Sequence, residues 1–190
     1  MKKIHTRNEI KKAAKKIFWE EGLNKTNVEQ ISDAADISRM TFYREFSSKN
    51  ELVFEIIGEL FEGIINESNR IFEKPIPFIE KVNEVVSYNY TVFKDISQEM
   101  LIDLNHQKNP TLKKYIDEHN NRSKSNFFKI IQSEQNKGNI RSDVKVEFIS
   151  YFMDKAYELM FDPEIKKMYD TSDEVIDAIT RMFFFGIVRR

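Results

Sequence analysis

The chain has 190 residues, 41% of them hydrophobic, enough apolar surface for one or two packed units with a core. It has no Cys, which excludes a disulfide framework, and its longest apolar run, near 182–188, is too short to span a bilayer. The basic N-terminus lacks the apolar stretch of a signal peptide, so a soluble, cytoplasmic protein with no membrane partner is expected.

Five Gly, four Pro, scattered charge and repeated helical periods predict an all-α fold of about nine helices. Thr6 and Glu9 have the spacing of a capping box, followed by apolar Ile10, Ala13, Ala14, Ile17 and Phe18 and by Gly22 as a stop, which predicts a first helix over 7–21. A second box at Thr26 and Glu29 opens a short helix whose Val28, Ile31, Ala34 and Ala35 share one face. Asp36 falls where the chain must turn sharply, and Asp tolerates the left-handed backbone better than most residues. Ser38 then caps a third helix. Phe42 and Phe46, four residues apart, face inward, leaving Arg39, Met40, Thr41, Tyr43 and Arg44 outside. Two short helices joined by a tight break, with cations on the second, predict a helix-turn-helix. Ser48 and Glu51 form a third box at the head of a long helix carrying Leu52, Phe54, Ile56, Ile57, Leu60, Phe61, Ile64 and Ile65.

The stretch AAKKIFWEEGLNKTNVEQISDAADISRMTFYREFSSKNEL, about a quarter of the chain, resembles the tetracycline-repressor (TetR/AcrR) family of bacterial regulators. The shared pattern is an Ala-rich first helix ending in Gly, a capping Thr, a helix of small residues, and a recognition helix with Thr, an aromatic and Tyr that ends in Phe and Lys. Asp36 stands where that family usually has Gly, and Met40 where a small residue is common. The resemblance implies a helix-turn-helix DNA-binding domain over 1–48 and an effector-binding and dimerisation domain over 49–190. It also implies that Tyr43 and Lys49 clamp phosphates, with Thr41, Thr26 and Asn27 on the DNA backbone. Arg39, Met40 and Arg44 are the candidates for base edges, since Arg bonds guanine in a bidentate fashion and Met lies against a thymine methyl. For any one of these residues alone a surface role is the plainer reading, and Arg44 has Glu45 beside it as a partner. Their order in one motif favours DNA. Residues 1–50 carry eleven Lys or Arg against seven Asp or Glu, a balance of +4, so the total of −1 leaves −5 on the remainder. A cationic DNA-facing end raises non-specific affinity.

Beyond the long helix, Pro75 and Pro77 break the pattern, and helices are expected near 77–93, 97–106, 110–137, 143–161 and 172–188. Asn109-Pro110 opens one and Gly138 closes it, with Asp143 and Ser172 as caps for the last two. Those last two helices carry wide apolar arcs, Phe148, Ile149, Phe152, Met153, Ala156, Leu159 and Met160 on one and Val175, Ile176, Ile179, Met182–Phe185, Ile187 and Val188 on the other. In the family such helices form a four-helix bundle across a two-fold axis, so a homodimer on a palindromic duplex DNA operator is expected. The middle helices are then expected to hold a small apolar or aromatic effector. Phe61, Ile65, Tyr88, Tyr90 and Phe93 are candidate lining residues, with Met100, Leu104, Phe127, Phe128 and Met153; ordinary core positions are the competing reading. Gly58 and Gly63 interrupt the long helix where bending would shift the recognition helices.

No cofactor is expected, and His106 and His119 lack the ligand spacing of a metal site. An all-α enzyme is disfavoured, because no phosphate loop, metal cluster or nucleophile motif is present. The expected function is a dimeric repressor released from its operator by an effector. The alternative is a DNA-binding architectural or interaction protein without one.

Overall fold

The computed structural model describes residues 2–159 and 162–187, all of its regular structure being helical. The helices are α1 (Lys2–Glu21), α2 (Val28–Ala34), α3 (Arg39–Glu45), α4 (Lys49–Glu73), α5 (Phe78–Phe93), α6 (Gln98–Asn105), α7 (Pro110–Asn136), α8 (Val146–Leu159), α9 (Pro163–Lys166) and α10 (Ser172–Ile187). Nine answer to predicted elements. The tenth, α9, is a single turn of four residues, too short to leave a hydrophobic period. Met160 and Val188, assigned above to apolar faces, lie outside the described residues.

Apart from α2, three helix starts differ from the expected ones. α1 begins at Lys2, so Thr6 lies inside it rather than capping it. α8 begins at Val146, and Asp143, three residues before it, instead accepts hydrogen bonds from Arg141 Nε (2.7 Å) and Nη2 (2.5 Å). α10 starts at Ser172 itself. The predicted end signals fared better. Asn109 Oδ1 accepts the amides of Thr111 and Leu112, with Pro110 as the first helical residue of α7. Gly138, at φ 79°, closes the helix: its own amide donates to Gln135 O and that of Asn139 to Glu134 O, the two bonds of a Schellman motif.

The chain forms two compact units, residues 1–60 with 95–119 and residues 61–94 with 120–190, and the divisions fall within α4 and α7. The first unit is built on Ile10, Ala14 and Phe18 of α1, packed with Ile31, Phe42, Phe46, Leu52 and Ile57, all essentially without solvent contact. A ladder of ion pairs joins α1 to the start of α4: Arg7 reaches Glu51 and Glu55, and Lys11 reaches Glu55 and Glu59. Successive partners are four residues apart on both helices, so one register serves every pair. Such partly exposed pairs stabilise by at most about 1 kcal/mol each, and their main effect is to set this register.

The second unit encloses Ile71, Val82, Val86, Ile131, Ile140, Ile149 and the Phe183-Phe184 pair of α10. Phe127 packs on both of these rings, with centroids 5.7 and 6.4 Å away. Lys81 is buried, and its ammonium donates to Phe72 O at 2.8 Å, placing a cation on the carbonyl end of α4.

Of the two glycines of α4, Gly58 is a packing notch, whereas a Cβ at Gly63 would fit. A Cβ on Gly58 would collide with the Tyr115 hydroxyl, which donates to Phe54 O at 3.1 Å while its ring meets that of Phe54 edge-on at 4.9 Å. Gly63 faces the Tyr88 hydroxyl 3.5 Å from where its Cβ would lie. Gly58→Ala is therefore expected to destabilise the protein despite better helix propensity, by roughly 1–2 kcal/mol through displacement of the Tyr115 hydroxyl. In a Tyr115→Phe background the same change should become neutral or stabilising, by up to about 1 kcal/mol. Thermal denaturation of the four-member cycle checks this sign reversal.

Candidate nucleic-acid interface

The start of α2 is capped by Asn27, at φ −122° and ψ 170°. Its side-chain oxygen accepts the Gln30 amide at 3.0 Å, and Gln30 Oε1 accepts the Asn27 amide at 2.8 Å. The capping box thus sits one residue later than the expected Thr26–Glu29 pair. Thr26 is buried and its hydroxyl donates to Gly22 O at 2.8 Å, so its side chain is committed to the fold. Glu29 pairs instead with Arg39.

The buried face of α2 is Ile31 and Ser32, with Val28 and Ala35 half-buried. Ala34, expected in the core, is exposed, because the four inward positions follow the helical period through 28, 31, 32 and 35. Ser32 is tolerated inside because its hydroxyl donates to Val28 O at 2.8 Å.

The turn follows at Asp36, which has φ 52°. Its amide donates to Asp33 O at 3.1 Å, and that of Ile37 to Ser32 O at 3.0 Å. This is the same Schellman pair that Gly138 makes, here built on Asp, as the local chemistry predicted.

Ser38 caps α3 by accepting the Thr41 amide at 3.1 Å, and its hydroxyl lies 3.0 Å from that of Thr41. Phe42 and Phe46 are wholly buried with ring centroids 5.8 Å apart, and the Arg7 guanidinium lies 3.9 Å over the Phe46 ring. The outward face carries Met40 (83% exposed), Tyr43 (56%), Arg39 and Arg44, with Thr41 half-buried at its edge. Tyr43 is set edge-on to Phe42 at 5.4 Å, so the core beneath orients a surface ring.

Lys49 was expected to stand free for a phosphate. Its ammonium instead donates to Leu23 O at 2.6 Å and Thr26 O at 2.7 Å, and the partial burial that this entails lowers its pKa. The loop it grips is held on another side by Asp103 of α6, which accepts the Asn24 amide at 2.8 Å. Gly22, at φ 87°, has no room for a Cβ beside that carboxylate.

The family model for bacterial regulatory proteins of the tetR family matches residues 10–56, the span that holds this whole arrangement. Residues 10–56 thus carry a DNA-binding region of the tetR type. This regulator is 24% identical over 150 residues to the transcriptional repressor KstR2 of Rhodococcus jostii, covering 77% of this chain and 74% of that one. Its fold matches the fatty acid degradation regulator FadR of Bacillus halodurans with a TM-score of 0.73 at 16% identity, over 97% of each chain. It also matches FadR of Bacillus subtilis, solved with stearoyl-CoA, with a TM-score of 0.71 at 17% identity, over 95% of this chain and 98% of that one. The chain is a DNA-binding transcriptional regulator, and among the described residues no helix is long and apolar enough to cross a membrane.

The ten positions suggested for an effector divide between the units of this regulator. Met100 and Leu104 lie on α6 in the first, Met100 fully buried beneath the Ser97 cap. The other eight lie in the second. There Tyr88, Phe127 and Phe128 pack against the apolar core and Ile65 is buried, while Phe61 and Phe93 are half-buried. Tyr90 (46%) and Met153 (38%) are exposed, since they fall on the outer sides of α5 and α8.

Two substitutions test the turn and its clamp. Asp36→Gly should raise stability by about 0.5–1 kcal/mol by relieving the left-handed strain of a residue with a Cβ, read from the denaturant midpoint. Lys49→Ala should lower stability by about 1–3 kcal/mol, because two carbonyls lose a charged donor. The same variant should leave the salt dependence of DNA binding nearly unchanged, whereas a phosphate contact would reduce the slope by about one charge.

Proposed function

We propose that the protein is a homodimeric repressor that reads a palindromic operator in the cytoplasm and leaves it when a small apolar or aromatic effector binds. The observation that carries this reading is the outward face of α3. Two arginines, a methionine and a tyrosine are presented on a helix whose other side is locked by Phe42 and Phe46. In this reading Tyr43, Thr41 and the backbone around Asn27 meet phosphates, and Arg39, Met40 and Arg44 meet base edges. Thr26 and Lys49 belong to the scaffold that holds α2 in place. Residues 1–48 would supply recognition and 49–190 effector binding and dimerisation.

Pairing of two copies is supported by apolar surface left open on the last long helices. On α8, Phe148, Tyr151, Phe152 and Leu159 are 44–60% exposed, and on α10 Met182 is 79% and Phe185 48% exposed. Side chains of this size gathered on two adjacent helices mark an association surface. A dimer formed through it would carry two α3 helices, the number that the two half-sites of a palindrome require. An apolar effector is supported by the long acyl chain bound to the similarly folded Bacillus subtilis FadR. An effector acts by binding better to the conformation with low DNA affinity.

Selection of bound sequences from random duplex DNA should return an inverted repeat, and recovery of no motif would overturn the reading. Arg44→Ala should cost roughly 1–3 kcal/mol of operator affinity and relax preference at particular base positions. Met182→Glu should shift the sedimentation coefficient to that of a monomer with helicity retained, as expected for a charge placed in an apolar interface. An unchanged dimer would place the interface elsewhere.

A further inference from the structure

The carboxylate of Glu45 has no evident use in the fold. Its side chain is 1% exposed, one oxygen accepts only the Nε of Arg44 at 3.2 Å, and the other, Oε2, is buried without a hydrogen-bond partner. It also sits at the last residue of α3, where the helix dipole disfavours negative charge. Arg7, which reaches that end of α3, donates to the backbone oxygen of Glu45 and spends its ion pairs on Glu51 and Glu55. A buried, half-satisfied carboxylate of this kind works against folding.

Arg44 shows what the carboxylate does. Its side chain is 63% exposed, and the bond to Glu45 uses Nε, leaving both terminal nitrogens without a partner among the described residues. Those two nitrogens form the fork that engages guanine O6 and N7 or a phosphate. Arg39 is held in the opposite way, because its terminal Nη2 is taken by Glu29. Before DNA arrives, then, one arginine of α3 has both nitrogens of its fork open, and the other has one of them occupied.

We infer that Glu45 is a positioning residue for sequence readout, fixing Arg44 through Nε so that its terminal fork is preset for a base edge. This rests on the proposal that α3 reads DNA and deepens it. Ordering the arginine in advance removes rotamer entropy that would otherwise be lost on binding, and it restricts which base pair the fork meets. Glu29 sets the contrasting case: Arg39 engages DNA only by exchanging its carboxylate.

The test compares the full-length protein with Glu45→Gln, Arg44→Ala and the double variant. Glu45→Gln should be at least as heat-stable as the parent, since it removes a buried charge. It should nevertheless lose roughly three- to thirtyfold in discrimination at the base positions that Arg44→Ala identifies, a range set by arginine rotamer entropy. Added to Arg44→Ala it should have no further effect on discrimination. In DNA-free protein, 15N relaxation of the Arg44 Nε–H group should show order in the parent and mobility in Glu45→Gln. Equal mobility in the two proteins, full discrimination by Glu45→Gln, or losses that add in the double variant would each overturn the positioning role while leaving DNA recognition by α3 intact. Failure of the parent to select any motif would instead overturn the reading of α3 on which it rests. Should Glu45→Gln fail to fold, Glu45→Asp, which keeps the charge but withdraws it from Nε, is expected to show the same loss of discrimination and of order.

Discussion

The recognition helix has seven residues, fewer than an isolated helix needs to persist in water, so its existence depends on burial of Phe42 and Phe46. Each ring removed from water contributes about 1.5–3 kcal/mol, against an ordering cost of about 1–2 kcal/mol for each backbone residue fixed. Two phenylalanines and a serine cap therefore offset roughly half of the element's ordering cost, and its packing on α1 and α2 must offset the rest. The consequence for function is direct, because burying positions 42 and 46 forces 39, 40, 43 and 44 outward. Arg7 over the Phe46 ring extends the same anchor to α1 and, through Glu51 and Glu55, to α4.

Around that anchor the unit uses charge mainly to fix register. The basic run of α1 is not uniformly available to DNA, since Arg7 and Lys11 are committed to the carboxylates of α4 while Lys12, Lys15 and Lys16 remain exposed. Lysines also act as staples on open carbonyls, Lys49 on the loop between α1 and α2 and Lys81 on the end of α4. An ammonium with three donors can satisfy two carbonyls at once, as Lys49 does.

Much of the architecture was legible because its causes are local. Asp36 in a left-handed turn, Ser38 as a cap, Gly22 and Gly138 as stops and Asn109-Pro110 as a start all follow from backbone chemistry within a few residues. Where two local solutions competed, the sequence was ambiguous. Thr26 with Glu29 and Asn27 with Gln30 have the same box spacing, and the second forms because burial turns the Thr26 hydroxyl toward Gly22. Ala34, expected inside, is exposed, and Ser32 lies inside instead, for a related reason. Composition favours the alanine inside, but helical phase and a back-bond to Val28 settle the serine there.

The amino-acid sequence by itself determined the helical class, nearly every element and the tetR-family recognition motif, because periodicity, caps and turn residues act over distances of three to seven positions. Tertiary structure alone decided which polar side chains of that motif remain free. Lys49 meets carbonyls 23 and 26 residues away, Arg39 is drawn back to α2, and the Glu45 carboxylate is sealed under Arg44. A hydrogen-bond partner distant in sequence leaves no trace in local spacing, and whether a charge faces DNA or a neighbouring backbone is settled only when the helices pack.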